Sequence, residues 1–303
     1  HSIKIENLLI DTGFTAETAA KLFAPGDIVT FAAKPVELQN KRLAGPALDD
    51  RIGCAAVIAA AEEIAAEKPD CRVTVLLSSM EEVGGQGAET GGFTSQPDYA
   101  IAVDVSFGDG FGCAPEKTSP LGGGTMLGYA PTLNRDFTLK LKKLAEENNI
   151  PLQHEPMGGR TGTDADELAT AGRGIKMALL SIPLRSMKYE QLWKDIETLC
   201  ALRGPSGREA AVREYLIEQI KGHAEYEVDP LGNLLVRKKG KKPAKKVLQL
   251  SAHMDEVGFI ITNIDEKGFL SFAPVGGVQP EVTGGRMGLV GDDAIPGIVG
   301  CKA

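Results

Sequence analysis

Short apolar runs that stop abruptly at acids, or at an acid and a histidine, constrain this sequence more than any other feature. Leu76-Leu77-Ser78-Ser79-Met80 leads into Glu81-Glu82 and a flexible Val83-Gly84-Gly85 turn. Ala102-Val103 leads into Asp104, Leu250-Ser251-Ala252 into His253-Met254-Asp255, and Ala47-Leu48 into Asp49-Asp50-Arg51. Apolar runs of strand length bury in a sheet, whereas ionisable groups need water, a partner or a metal, so they emerge at strand ends. Gathered at the carboxyl edge of one sheet, these ends would supply a dinuclear metal site.

The pattern around them alternates. Residues 51 to 67 and 135 to 149 place apolar side chains in helical rotation, while 73 to 78, 99 to 105 and 176 to 182 read as buried strands. That order predicts an α/β domain with a helix-flanked, mixed, largely parallel sheet. After Lys188 come an amphipathic helix, a Gly204-Pro205-Ser206-Gly207 break and a second helix opening at Ser206. Strands at 231 to 237 and 247 to 252 come next, with Lys238 to Pro243 as a solvated hairpin turn. From Gly258 to Ala303 the texture is short strands between Gly-Gly and Pro turns, and residues 1 to 31 continue it. Neither stretch has enough strands to close a core alone, so 258–303 plus 1–31 are expected to form one small β-barrel-like domain, with Ala303 near His1. Residues 32–257 form the larger domain.

Composition narrows the function. In 303 residues, 43% are hydrophobic, enough for a sizeable core, and the formal charge of −8 leaves no electrostatic footprint for nucleic acid. Five scattered cysteines without a Cys-x-x-Cys fit reduced thiols rather than a disulfide framework. No run is long and apolar enough to span a membrane and no signal peptide is visible, so a soluble cytoplasmic protein is expected. Gly122-Gly123-Gly124 lacks the Lys-Ser/Thr of a phosphate loop and reads as a plain loop.

Two divalent ions about 3.5 to 4 Å apart can hold a bridging water, lower its pKa and polarise a carbonyl. Of Glu81 and Glu82, one would bind metal and the other would act as general base. Asp255, two residues from His253, would orient the imidazole. Asp49-Asp50 could bridge the ions, although paired acids also begin helices. Mixed nitrogen and oxygen ligands suit zinc, cobalt or manganese.

Six ordered blocks resemble the TET-type aminopeptidases, dinuclear metallo-exopeptidases that include glutamyl aminopeptidases and are also called cellulase M or endoglucanase homologues. The blocks are Ala201-Leu202-Arg203-Gly204-Pro205-Ser206-Gly207, Asp229-Pro230-Leu231-Gly232-Asn233, Ser251 to Gly258, Leu48 to Gly53, Glu81-Glu82-Val83-Gly84 and Gly162-Thr163-Asp164-Ala165. The resemblance implies a zinc exopeptidase-like fold and two divalent metal ions. Asp49 would bridge them, His253 and Asp104 would complete one, and Glu82 would serve the other. Glu81 becomes the general base and Asp255 supports His253. It further implies peptide substrates with free N-termini, and a small β-domain that mediates dimer contacts in a homo-oligomer, a dodecamer.

The blocks are circularly shifted: residues 188 to 303 resemble the family's N-terminal portion, and residues 1 to 187 resemble the portion after it. Either the order is a true permutation or two segments are joined, and the direct run from Met187 into Lys188 favours the joining. The strand from Lys176 should also lead to a fifth ligand, a histidine, which is missing there; His1, His154 and His223 are poor substitutes. Two rivals to a metalloaminopeptidase remain. A β-glucan hydrolase needs two carboxylates roughly 5 to 9.5 Å apart and no metal pair, and an impaired assembly or binding homologue would have lost the second metal. Arg160, beside Gly162-Thr163-Asp164, is either a surface arginine or a contact for acidic side chains.

Overall fold

Strand alternation builds the smaller of two units. In β1 (Leu8–Asp11), Leu8 and Ile10 are buried while Leu9 and Asp11 are not. The computed structural model describes residues 3–39, 42–67, 69–109, 118–184, 193–238 and 246–301. It divides into one unit of residues 1–34 with 256–303 and another of residues 35–255. In the first, β1, β2 (Ile28–Phe31), β13 (Gly258–Ile264), β14 (Leu270–Val275), β15 (Met287–Val290) and β16 (Ile295–Cys301) close a barrel in the order β1-β14-β13-β2-β15-β16, every pairing antiparallel. Its core joins Leu8, Ile10, Val29, Leu270, Val290 and Val299 to an edge-on stack of Phe31, Phe259 and Phe272. Helix α1 (Ala16–Leu22), capped by Thr15, adds Ala19 to that core. His1 and Ala303 lie outside the described residues; the nearby Leu8 and Cys301 are paired across β1 and β16.

The second unit is a helix-flanked mixed sheet. Its strands are β5 (Arg72–Ser78), β6 (Tyr99–Phe107), β7 (Thr125–Tyr129), β8 (Leu152–Pro156), β9 (Lys176–Leu184), β10 (Glu225–Val228), β11 (Leu234–Lys238) and β12 (Val247–His253). They lie in the order β10-β11-β5-β12-β6-β9-β7-β8, and β5, β12, β6 and β9 are mutually parallel. A hairpin of β3 (Val36–Leu38) and β4 (Arg42–Ala44) stands apart from this sheet. The central strands are apolar on both faces. Val75, Leu77, Ile101, Leu250 and Ala252 pack against α2 (Leu48–Glu67), α6 (Trp193–Ala201) and α7 (Ala210–Ile220), whereas Leu76, Ala100, Ala102 and Leu179 pack against α3 (Gln86–Ser95) and α5 (Asp164–Thr170). Helix α4 (Arg135–Glu147) is amphipathic, with Asn134 as its cap. Burial on both faces explains why these strands read as continuous apolar runs.

Three local readings change. Asp49-Asp50 does not end a strand: Gly45-Pro46 come after β4, and both acids sit at the entrance of α2 with non-helical dihedrals across a cis peptide. The second helix after the Gly204 to Gly207 break opens at Ala210 rather than Ser206, because the Ser206 hydroxyl is engaged by Asp255 at 2.6 Å instead of a helix amide. Finally, β12 stops at His253, so strand periodicity does not position Asp255. Residues 239–245, most of the lysine-rich turn, lie outside the described residues.

Arg51 ties these parts of the sheet domain together. It is 0% exposed and donates to four carbonyls: Met254 at 3.2 Å, Leu199 at 2.6 Å, Leu202, and Gly204 at 3.5 Å. A planar guanidinium can serve that spread, which a point-like ammonium cannot. Arg51→Met should therefore lose about 3 kcal/mol or more of stability, since it strands several buried acceptors. Arg51→Lys should recover little of it. Denaturant melts would check this, and a loss below about 1 kcal/mol in the Met variant would contradict the anchoring role.

Candidate metal and catalytic centre

Parallel register delivers the acids to one place. On β12 and β5, His253 pairs with Ser78; on β12 and β6, Ser251 pairs with Ala102, and two residues further on are His253 and Asp104. The Glu81-Glu82 turn comes directly after β5 and is held from both sides. Asn233, 0% exposed, accepts from the Ser79 amide at 2.9 Å, while Asp255 accepts from the amides of Glu81 (3.0 Å) and Glu82 (3.2 Å). Gly87 is required beneath this turn, since a Cβ there would stand 2.2 Å from the Ser79 carbonyl oxygen.

The imidazole of His253 is the hub. Its Nε2 lies 3.1 Å from Asp49 Oδ1, 3.9 Å from Glu81 Oε2 and 4.0 Å from Asp104 Oδ1. Its Nδ1 lies 3.3 Å from Asp255 Oδ1, although the approach does not meet hydrogen-bond geometry. Two groups have ligand atoms within 4.8 Å of one another: Asp49, Glu82 and His253, and Asp50, Asp104 and His253. The resemblance assigns Glu82 to a different ion from His253, with Asp49 bridging the two, and ligand atoms of Glu82, Asp49 and His253 lie within 4.8 Å of one another.

Asp50 is the acid to which the sequence gives no role of its own. It is 0% exposed and accepts from the Gly53 amide at 3.1 Å and from the His253 amide at 3.4 Å. A side chain at position 53 would collide with it, the Cβ coming within 2.3 Å of its carboxylate. The Leu48 to Gly53 block carries that signal, because a glycine three residues after an acid leaves room for the acid to fold back. Asp164, 2% exposed, accepts from the Ser78 hydroxyl and, at 3.1 Å, from Ser251; its other oxygen has no hydrogen-bond partner among the described residues.

Negative charge is in excess here. Burial first, then neighbouring acids, pushes Asp104 up to about 8 and Glu81 up to about 9, against the pull of His253. Burial and Asp104 likewise raise Asp50 well above the carboxylate range. Burial opposes charging His253, but Asp255, Asp49 and Asp104 outweigh it and raise its pKa. Asp255, despite its burial, is kept low by His253, Ser206 and the Glu81 amide. A crowded set of oxygens around one imidazole, short of positive charge, fits divalent cations of the zinc, cobalt or manganese type. Asp49, Glu82, Asp104 and His253 would hold them.

Asp49, Glu81, Glu82 and Asp104 line a cavity of about 810 Å³, which residues of β8, β9 and the loop before α5 also line. His154 reaches this cavity but is exposed and bonded to Tyr129 at 3.0 Å. His223 is also exposed, and His1 is outside the described residues. Among the described residues, His253 is the only histidine in either metal-type group. Arg160 is a surface residue, 69% exposed, paired with Asp166 at 3.4 Å and with Glu167. No described helix is long and apolar enough to cross a membrane.

Residues 1–199 and 232–303 match the M42 glutamyl aminopeptidase family, and the chain belongs to it. It is 33% identical over 184 residues to the lysyl aminopeptidase of Pyrococcus furiosus, covering 60% of this chain and 53% of that protein. The chain thus spans about half the length of this curated relative. Among solved structures, a TET aminopeptidase from a marine-sediment Thaumarchaeota archaeon is 26% identical, with a TM-score of 0.43 and coverage of 50% and 44%. The TET1 peptidase of Pyrococcus horikoshii, which can assemble into a tetrahedron or a large octahedral shell, is 26% identical with a TM-score of 0.40 and coverage of 57% and 52%.

If Asp255 aligns the imidazole and the Glu81-Glu82 turn, Asp255→Asn should leave the fold intact and weaken divalent-cation binding about 10- to 100-fold. Calorimetric titration with zinc would measure this. Unchanged affinity would show that Asp255 serves only the fold.

Proposed function

We propose that this chain is a metal-dependent aminopeptidase that removes N-terminal residues from peptides. The observation carrying this reading is the convergence of the cavity-lining acids Asp49, Glu81, Glu82 and Asp104 around His253, in a chain of the M42 family. Two divalent cations held there would bind a substrate's free amine, polarise the scissile carbonyl and make water more acidic.

The chain's own residues supply the proton transfers. Glu81 lines the cavity and stands beside the buried imidazole; without cations its surroundings favour the protonated form, and positive charge bound at the neighbouring acids would favour the carboxylate that a base must be. It takes the proton of the attacking water on a carboxylate oxygen and returns it to the departing amine, as general acid-base catalysis requires. Asp255 holds the amides of Glu81 and Glu82 so that the two carboxylates keep separate tasks. Asp50 fixes the His253 backbone from below.

Glu81→Gln should retain bound metal and lose about 10²- to 10⁴-fold in turnover of aminoacyl substrates. Exhaustive chelation should abolish activity. Unaltered turnover in either experiment would overturn the mechanism.

The small β-barrel unit would provide contacts between copies, with dimers assembling into a dodecamer in the cytoplasm. Light scattering on the intact protein should then report a particle several times the 32.0 kDa chain mass. An active monomer would contradict the assembly and leave the chemistry standing.

A further inference from the structure

Besides Glu81, one more carboxylate in the cavity belongs to neither metal-type group. Glu155, on β8, accepts from the Ser106 hydroxyl through Oε1 and from the Ser181 hydroxyl through Oε2 at 2.6 Å. Ser181 stands beside Asp104 in the β9–β6 register, and Ser106 lies two residues beyond Asp104 on the same face of β6. At the strand rise, Ser106 is roughly 6 to 7 Å past Asp104. Glu155 is therefore fixed over the sheet about one side-chain length from the acid cluster.

Its surroundings suit a long cationic side chain. An ionised carboxylate offers about four acceptor sites, and the two serines leave capacity for an incoming ammonium or guanidinium. Met126, Met157 and Leu179 line the same cavity as apolar wall, suited to the methylene stem of such a side chain. Leu179 and Met157 close over Gly128, where a Cβ would stand 3.0 Å from Leu179 Cβ and 3.2 Å from Met157 Cε. Among the described lining residues Arg160 is the only arginine or lysine, and Asp166 and Glu167 already pair it. An acidic side chain brought into this space would meet Glu155 with no arginine free to receive it.

We infer that Glu155 selects substrates whose N-terminal residue is lysine or arginine. The α-amine and scissile carbonyl sit at the acid cluster, the aliphatic stem runs along Met157 and Leu179, and the cationic head meets Glu155. An extended lysine spans roughly 6 Å from Cα to Nζ by its bond lengths, which matches the offset between Asp104 and Ser106. This inference rests on the aminopeptidase reading above.

The test compares lysyl, arginyl, norleucyl and glutamyl anilides on wild type, Glu155→Gln and Glu155→Asp, with calorimetric binding of free L-lysine and L-norleucine alongside. Glutamine keeps one acceptor for the serines and removes the charge. Wild type should favour lysyl and arginyl substrates, and Glu155→Gln should lower the lysyl-to-norleucyl ratio of kcat/KM about 10- to 100-fold. Glu155→Asp should restore part of that ratio. An equal loss on all substrates would mean that Glu155 supports the sheet or binds the α-amine, and would overturn the inference. So would a wild-type preference for norleucyl or glutamyl substrates. If wild type hydrolyses nothing yet binds L-lysine more tightly than L-norleucine, and Glu155→Gln erases the difference, the activity fails and the subsite stands. Neither hydrolysis nor selective binding would sink both.

Discussion

Mutual repulsion among acids is the constraint on which the sheet domain depends. Glu81, Asp104 and Asp49 each bring an oxygen within 4.0 Å of one imidazole nitrogen, and Asp50 is buried beside them. Two like charges 4 Å apart would repel by about 4 kcal/mol at an effective dielectric of 20, and the raised pKa values of Glu81, Asp104 and Asp50 show the cluster favouring neutral acids over a full set of charges. The scaffold must impose the cluster. Parallel strands place His253 and Asp104 at neighbouring ends, Asn233 and Asp255 clamp the Glu81-Glu82 turn, and Arg51 locks α2 to the end of β12. The same crowding makes the cluster receptive to cations.

The strand ends are legible in the sequence because apolar runs and acids obey opposing solvation rules over a few residues. Thus β5, β6 and β9 fall almost where the runs predict, and Asp49, Glu81, Glu82, Asp104, His253 and Asp255 come together. The features that stay hidden depend on partners distant in sequence. Ala47-Leu48 is too short to distinguish a strand end from a helix entrance, so the sequence misplaces Asp49-Asp50. Ser206 looks like a helix cap until its hydroxyl is seen on Asp255.

Glu155 illustrates the limit most clearly. Its neighbours Ser106 and Ser181 come from β6 and β9, and β7 lies between β9 and β8 in the sheet. The strand order brings these residues together, and local periodicity carries no record of it. Proton transfer by Glu81 and side-chain recognition by Glu155 would therefore share one cavity while answering to different parts of the fold.

Anomalous diffraction at the zinc edge from crystals of the metal-loaded protein tests the central claim most directly. The account predicts peaks about 2.0 to 2.2 Å from His253 Nε2 and from oxygens of Asp49, Glu82 or Asp104, with Glu81 outside bonding distance. No peak within the cluster, or a peak centred on His154 or His223 instead, would contradict it.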